Sequence, residues 1–114
     1  MQLRDSPEEA AFREEVRGWI GANLPEDLRG RRGGAARFEE WGRDWSRKLG
    51  EAGHAAISWP KEYGGGGAPY SHQAILLEEL AKAQAPGHIG VIGLGMAGPT
   101  IIARGTDEQK ERYL

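Results

Sequence analysis

The sequence predicts an all-α domain, a helical bundle of about five helices, and three observations support this fold class. Apolar residues recur at helical spacing in successive segments, two segments begin with a capping box, and no stretch alternates between apolar and polar residues as a half-buried strand does. The chain has 114 residues, which fits one compact domain. Its 39% apolar content includes four tryptophans, which is enough for a core although 18 residues are glycine.

The first helix is predicted to begin after Ser6. Ser6 at the N-cap, Pro7 at the first helical position and Glu9 three residues after the cap form a capping box. Pro25 is expected to end the helix, because the residue before a proline is disfavoured in the α conformation. Between these limits the apolar residues follow one helical stripe. The residues of this stripe are Phe12, Val16, Trp19, Ile20 and Leu24.

Residues 29–37 combine four arginines with three glycines and are interpreted as a flexible, solvated connector. Because no aromatic residue is interleaved with the arginines, this interpretation is preferred to a loop that binds phosphate or nucleic acid. A second amphipathic helix follows, and Gly53 is predicted to end it. The apolar face of this helix holds Phe38, Trp41, Trp45, Leu49 and Ala52.

Residues 55–70 are rich in turn formers and are predicted to form a loop anchored by Trp59 and Tyr63. Ser71 is predicted to cap a third helix, which the Pro-Gly pair at 86–87 closes. The buried face of this helix is expected at Leu76, Leu77, Leu80, Ala81 and Gln84.

Residues 89–104 carry no charge before the last position and contain four glycines. This pattern indicates a helix inside a larger structure, where small residues let a ligand or another backbone approach closely. Pro99 is expected either to kink this helix or to begin its second half. Thr106 and Gln109 then form a second capping box. The helix that they open soon reaches the chain end, so we expect residues 1–114 to be one domain that is cut short at 114.

The composition excludes several classes of function. A formal net charge of −2 gives no positive field for nucleic acid or anionic membranes. The absence of cysteine excludes disulfides, iron–sulfur clusters and thiol catalysis, and it leads us to expect a cytoplasmic protein. No apolar run approaches the ~20 residues of a membrane span, and the first residues lack the apolar core of a signal peptide.

Two glycine-rich stretches match parts of nucleotide-binding motifs but lack their context. Residues 93–98 read G-x-G-x-x-G, yet only 16 residues follow, too few for the second strand and the acidic ribose contact. Residues 64–67 are not followed by the Lys-Ser or Lys-Thr pair of a phosphate-binding loop. His54, His72 and His88 show no metal-binding spacing. No catalytic, cofactor-binding or metal-binding residue is predicted in this chain.

Three stretches nevertheless form a specific combination. The first is Ser6-Pro7-Glu8-Glu9 with Phe12, Arg13 and Val16. The second runs from Leu49-Gly50-Glu51-Ala52-Gly53 to Trp59-Pro60-Lys61-Glu62-Tyr63-Gly64-Gly65 and then Glu78-Glu79-Leu80-Ala81. The third is Gly105-Thr106-Asp107-Glu108-Gln109-Lys110-Glu111-Arg112-Tyr113-Leu114. In this order, and over nearly the whole chain, they resemble the N-terminal helical domain of the acyl-CoA dehydrogenases.

The resemblance implies a longer parent enzyme of lipid metabolism. In that family a middle β-domain and a C-terminal helical domain provide most FAD contacts, and the latter carries the glutamate base. The parent would dehydrogenate acyl-CoA thioesters between the α and β carbons and pass electrons to an electron-transfer flavoprotein or a similar acceptor. This domain, inactive alone, would supply part of the acyl-pocket wall and subunit contacts in a homo- or hetero-oligomer. The alternative is a non-catalytic helical interaction module derived from such a domain.

The resemblance also implies substrate-binding residues, because the family's helix matching residues 89–104 lines the acyl pocket. Each buried CH₂ of an acyl tail gains ~0.8 kcal/mol, so an apolar wall without charge suits this role. With four glycines in the helix, we expect a pocket for a bulky or branched acyl group. The candidates are His88, Val91, Ile92, Gly95, Met96 and Pro99.

One departure from the family concerns the docking of the electron acceptor. Some members carry large apolar residues around the glycine loop, where this chain has Gly66, Gly67 and Ala68. This departure argues against docking through that loop, whereas Leu76 and Leu77 on the following helix could still contribute.

Overall fold

The computed structural model describes residues 4–31 and 39–114, and every regular element in these ranges is helical. A 3-10 turn at Glu26–Leu28 follows the first helix, another at Lys61–Tyr63 precedes the third, and a π turn at Gly93–Ala97 precedes the fourth. The prediction of an all-α fold with about five helices is confirmed. Phe38 and residues 32–37 of the basic connector lie outside the described residues. The helices are α1 (Pro7–Asn23), α2 (Glu40–Glu51), α3 (Tyr70–Lys82), α4 (Gly98–Arg104) and α5 (Asp107–Tyr113).

The first helix, α1, begins and ends as predicted. Glu9 N donates to Ser6 Oγ at 3.1 Å and Ser6 N donates to Glu9 Oε1 at 2.8 Å, which completes the capping box. Leu24 is the C-cap, directly before Pro25. Of the predicted apolar stripe, Val16 and Ile20 are buried. The others, Phe12, Trp19 and Leu24, are partly buried against the same core.

The second helix, α2, also presents the expected face to the core, with one exception. Trp45 and Leu49 are buried, and Trp41 is partly buried. Gly53 lies in the left-handed region at φ +80°, as predicted for the residue that ends the helix. Ala52 is exposed, which corrects that part of the predicted face, because it follows the last helical residue.

The third helix, α3, departs from the prediction at both ends. Pro69 holds the N-cap position in an extended conformation, so the helix begins at Tyr70 and Ser71 is not its cap. The helix ends at Lys82, before the predicted closure at 86–87. Gln84 adopts the left-handed conformation, φ +56°, that usually belongs to glycine. Ala85 N donates to Leu80 O, and Gln84 N donates to Ala81 O, which satisfies the last helical carbonyls.

The buried face of α3 is turned relative to the prediction. Leu76 and Leu80 are buried as expected, whereas Leu77, Ala81 and Gln84 are exposed. Ile75 and Glu79 are buried in their place. The predicted face was wrong here because it omitted Glu79, whose carboxylate is buried with arginine partners from α1.

That buried carboxylate joins α3 to α1. Glu79 Oε1 accepts hydrogen bonds from Arg13 Nη1 at 2.9 Å and from Arg17 Nη2 at 3.0 Å, and Oε2 accepts from Arg17 Nε at 3.2 Å. Asp5 accepts from the other side of Arg13 at 2.7 Å. The hydrogen bonds from Arg17 and Arg13 outweigh desolvation and lower the pKa of Glu79 to about 2. The charge is therefore retained at neutral pH.

One apolar core unites the first three helices with the segments between them. The indole Nε1 of Trp45 donates to Pro86 O at 2.6 Å, and Ile89 N donates to Ser46 Oγ at 3.0 Å. These two bonds hold Pro86 and the first residue of the 89–104 segment against α2. In the described ranges, none of the helices has the length and apolar character needed to cross a membrane. The buried core residues are Val16, Ile20, Leu28, Trp45, Leu49, Ile57, Leu76 and Leu80.

Candidate functional site

The apolar segment at 89–104 is helical from Val91, with a π turn before Pro99. Gly98 N donates to Gly93 O, five residues back, which widens the helix at this point. Pro99 lies in the first turn of α4, a position at which proline is common. Of the two outcomes predicted for Pro99, the structure shows the second, in which it begins the second half of the helix.

Trp59 connects the π turn to the rest of the domain. Its indole Nε1 donates to Leu94 O at 3.0 Å. Gly98 is buried against the same ring, and a Cβ placed on Gly98 would overlap Cζ2 and Cη2 of Trp59. Glycine at this position is therefore required by the close approach of the indole. The prediction that Trp59 anchors the loop missed this contact across more than thirty residues, because no local pattern encodes it.

The glycine loop packs against Trp59 and the chain beside it. A Cβ on Gly65 would overlap the Trp59 backbone, and one on Gly66 would lie 2.8 Å from Ile57 O. Gly67 N donates to Trp59 O at 2.8 Å. The space beside these glycines is filled by the protein itself, and the N–H of Gly98 is already bonded to Gly93. The backbone N–H groups of residues 64–67 all donate to nearby carbonyls, so this loop is not an open cradle for phosphate.

Four of the six predicted substrate-binding residues share one side of the helical run. Val91, Ile92, Gly95 and Met96 are offset by 0, 1, 4 and 5 positions, and we call them the pocket face. The apolar side chains of Val91, Ile92 and Met96 are 51%, 66% and 62% exposed. A Cβ on Gly95 would have no atom within 4 Å outside its own helix turn. The pocket face is therefore apolar and exposed, and it has a depression at Gly95, which has no side chain.

The other two predicted residues lie at the margins of the pocket face. His88 is half-buried and its Nδ1 accepts from Gly90 N at 2.8 Å, which ties the ring to the turn that starts the helical run. Desolvation lowers the pKa of His88, so the ring is neutral at pH 7. Pro99 is also half-buried.

Two open clefts lie elsewhere on the domain. One, of about 440 Å³, is lined by Glu62, Tyr63 and residues of α5, and the other, of about 500 Å³, lies between α2 and the turn at Glu26–Leu28. None of the six predicted residues lines either cleft. The pocket face therefore lies outside both clefts. Among the described residues, no three His, Asp or Glu side chains are grouped to hold a metal ion.

Comparison with known proteins decides the family. Residues 6–114 match the sequence model described as acyl-CoA dehydrogenase, N-terminal domain. The chain belongs to the acyl-CoA dehydrogenase family. The resemblance that three sequence stretches indicated is thereby confirmed.

Several curated relatives of this acyl-CoA dehydrogenase domain come from mycobacteria. Acyl-CoA dehydrogenase IpdE1 of Mycobacterium tuberculosis is 39% identical over 109 residues, covering 90% of this chain and 28% of the relative. Acyl-CoA dehydrogenase FadE26 of the same organism is 32% identical over 120 residues, covering 100% of this chain and 29% of the relative. The acyl-CoA dehydrogenase domain thus spans less than a third of the relatives it matches.

Two solved structures share the fold of the acyl-CoA dehydrogenase domain. The Tcur3481-Tcur3483 steroid ACAD has a TM-score of 0.81 and 35% identity, over 99% of this chain and 29% of that chain. The ChsE4-ChsE5 complex from Mycobacterium tuberculosis has a TM-score of 0.78 and 32% identity, over 100% of this chain and 28% of that chain. The second of these is a complex of two proteins.

Proposed function

We propose that this domain forms one wall of the acyl pocket in an FAD-dependent acyl-CoA dehydrogenase, which oxidises acyl-CoA thioesters to 2-enoyl thioesters. The observation that carries the proposal is the pocket face, an uncharged surface with three large apolar side chains left open. An exposed apolar patch marks a site that a ligand or another surface covers. The proposed substrate-binding residues are His88, Val91, Ile92, Gly95, Met96 and Pro99.

In this proposal the domain binds the acyl tail and excludes water, and it performs no bond-breaking step. The flavin and the catalytic base are assigned to the remainder of the enzyme, because the glycine loop at 64–67 is closed by its own packing and no catalytic residue is predicted in this chain. Each methylene that the wall removes from water contributes ~0.8 kcal/mol to binding. An uncharged histidine at the margin of the wall keeps the pocket free of an unpaired charge, whose burial would be costly.

We further propose that the acyl group is bulky or branched. Gly95 lowers the wall at its centre, because a Cβ there would meet no atom within 4 Å outside its own helix turn. One structural neighbour at 35% identity is described as a steroid ACAD, which supports a polycyclic acyl group as the substrate class. A straight short acyl chain would leave this space unfilled and gain less from burial.

The partners proposed for the whole enzyme are a second subunit and an electron acceptor. The ChsE4-ChsE5 neighbour, a complex of two proteins, supports an oligomer. For an electron-transfer flavoprotein or a similar acceptor we propose the exposed side of α3, where Tyr70 and Leu77 are open. Leu76, which was expected to take part, is buried in the core and is not available. A cytoplasmic location is proposed from the absence of cysteine.

The experiment compares two glycine substitutions in the protein encoded by the complete reading frame that contains this chain. Gly95→Leu fills the centre of the pocket face, and Gly21→Leu on α1 is the matched control, since both glycines are exposed and helical with open Cβ space. Flavin absorbance is recorded, and dye-coupled oxidation is measured for acyl-CoA thioesters of increasing bulk. We expect Gly95→Leu to lower kcat/KM for a sterol-derived thioester at least ~10-fold, and for a short straight thioester less than ~3-fold.

The outcomes separate the two functions under consideration. A flavin-free protein that oxidises no thioester would refute the dehydrogenase and leave the non-catalytic interaction module. Equal losses for both thioesters, or an equal loss in Gly21→Leu, would refute the pocket wall while leaving the dehydrogenase intact. Preference of the unmodified enzyme for short straight thioesters would refute the bulky substrate class.

A further inference from the structure

The π turn leaves one backbone carbonyl without a donor from its own helix. In a regular α-helix Leu94 O would accept from Gly98 N, but Gly98 N donates to Gly93 O instead. The next residue is Pro99, which has no N–H to offer. A partly buried carbonyl in this position requires a donor from elsewhere in the chain.

Trp59 supplies that donor and also contacts the turn at a second point. Its indole Nε1 lies 3.0 Å from Leu94 O. One turn further on, Gly98 lies directly against the six-membered part of the indole, with no room for a Cβ. The hydrogen bond fixes the position of the π turn along the direction of the indole N–H. The contact between Gly98 and the ring fixes the distance of the π turn from the loop that carries Trp59.

The Trp59 backbone is itself held firmly. Gly67 N donates to Trp59 O at 2.8 Å, Trp59 N donates to Ala56 O at 3.2 Å, and Gly65 packs against the Trp59 backbone. The chain before the loop is anchored in the core by Ile57, which is buried. Rigid contacts therefore run from the core through Trp59 to the π turn.

We propose that Trp59 is a positioning residue for the acyl pocket. Through Leu94 and Gly98, Trp59 sets how far the pocket face protrudes and how the face is rotated about the helix axis. Gly95 and Met96 lie within this π turn, and Val91 and Ile92 lie directly before it in the same helical run, so a shift of the turn moves the pocket face. Trp59 acts through the turn and does not contact the acyl group. The inference rests on the proposed function of the pocket face as an acyl-pocket wall.

The test uses substitutions on both sides of the contact between Trp59 and Gly98, made in the complete enzyme. Trp59→Phe removes both the N–H and the outer ring atoms, and Gly98→Ala forces a methyl group against those atoms. The double variant brings the methyl group into the space that the smaller ring vacates. Trp41→Phe is the matched control, because Trp41 is also partly buried and donates its indole N–H, to Glu39 at 3.2 Å.

We expect Trp59→Phe to raise KM for the bulky thioester about 10-fold while kcat changes less than about 2-fold, and to change KM for a short straight thioester less than about 3-fold. Trp41→Phe is expected to change none of these values more than about 2-fold. Gly98→Ala is expected to raise KM for the bulky thioester about 30-fold in the unmodified background, but less than about 3-fold in the Trp59→Phe background. This rescue is specific to the contact, because general destabilisation by two substitutions would add.

Three results would overturn the inference. The first is an unchanged KM in Trp59→Phe, the second is an equal change for both thioesters, and the third is an equal effect of Gly98→Ala in both backgrounds. Hydrogen exchange in the unmodified protein gives a check that needs no folded variant of Trp59. The Trp59 indole N–H should exchange at least about 10-fold more slowly than that of Trp41, and equal rates would also overturn the inference.

These measurements distinguish the inference from the function on which it rests. If no thioester is oxidised, the proposed function fails, and slow exchange at the Trp59 indole N–H still shows that Trp59 holds the π turn in place. If thioesters are oxidised but the Trp59 variants leave KM unchanged, only the positioning role fails.

Discussion

At the scale of single residues, the buried carboxylate of Glu79 joins two helices by a contact that the apolar pattern of the sequence did not indicate. It accepts three hydrogen bonds from Arg13 and Arg17, so α1 and α3 are joined by charge as well as by apolar packing. Removal of one partner from such a cluster leaves uncompensated charge in a poorly solvated place, which costs more than the intact cluster contributes. This requirement determines which face of α3 is buried, because Glu79 must face the arginines on α1.

This carboxylate makes the stability of the domain pH-dependent. Because the folded pKa of Glu79 is about 2 against an ordinary value of 4.5, its contribution is complete above pH 4.5 and is lost as the pH falls toward 2. We predict that Glu79→Gln lowers the free energy of unfolding by about 2 kcal/mol at pH 7 and that this difference shrinks between pH 4.5 and 2. Urea unfolding followed by circular dichroism at several pH values measures it.

The control for this prediction is the neighbouring carboxylate. Glu78→Gln removes an exposed charge that lies 3.4 Å from Arg13 and 3.2 Å from Lys82. Exposed pairs of this kind contribute little, so a change below about 0.5 kcal/mol is expected at every pH. A Glu79→Gln difference that persists undiminished at pH 2 would show that the titration belongs to other groups.

At the scale of elements, α3 ends in a conformation that its sequence does not favour. Gln84 takes φ +56°, a region in which a side chain is strained and glycine is not. We predict that Gln84→Gly raises the free energy of unfolding by about 0.5–1 kcal/mol, whereas Ala83→Gly, one residue earlier in right-handed geometry, lowers it. Urea midpoints at constant m-value test both, and a loss of stability in Gln84→Gly would contradict the assigned helix end.

The elements also show which features a sequence pattern can reveal. Capping boxes at Ser6 and Thr106 were predicted correctly because both partners lie within one turn of chain. The N-cap of α3 was misplaced, since Pro69 provides an extended start without a side-chain bond and Ser71 looked like the better cap. The π turn could not be predicted, because its free carbonyl at Leu94 is satisfied by Trp59, 35 residues earlier.

At the scale of the whole molecule, the glycines take contrasting roles in packing and in the pocket face. Gly65, Gly66 and Gly98 are filled from outside by Trp59 and Ile57, whereas Gly95 faces open space. Sequence alone grouped the last two in one glycine-rich helix, and it predicted the pocket residues only through the family resemblance. The exposed side chains around Gly95 are consistent with a wall that lacks its opposite side. Because the chain spans 28–29% of the length of these relatives, we expect the opposite wall in the remainder of such an enzyme.

An exposed wall predicts how these 114 residues behave by themselves. Apolar surface on the pocket face, at Ile92 and Met96 above all, gains about 25 cal/mol per Å² when it is covered, and in the isolated chain only a second copy can cover it. We predict concentration-dependent self-association, without flavin absorbance or thioester oxidation. Sedimentation velocity over a range of concentrations measures the association, and absorbance and dye reduction measure the rest.

Two charged variants locate the associating surface. The double substitution Ile92→Glu with Met96→Glu is expected to give a monomer, because dimerisation would bring four carboxylates into one apolar contact. Leu77→Glu, at a similarly exposed residue on α3, is expected to associate like the unmodified chain. If Leu77→Glu alone abolished association, the associating surface would lie on α3 and not on the pocket face. A monomer at every concentration, or a yellow and active preparation of the isolated chain, would show that the pocket face needs no covering wall.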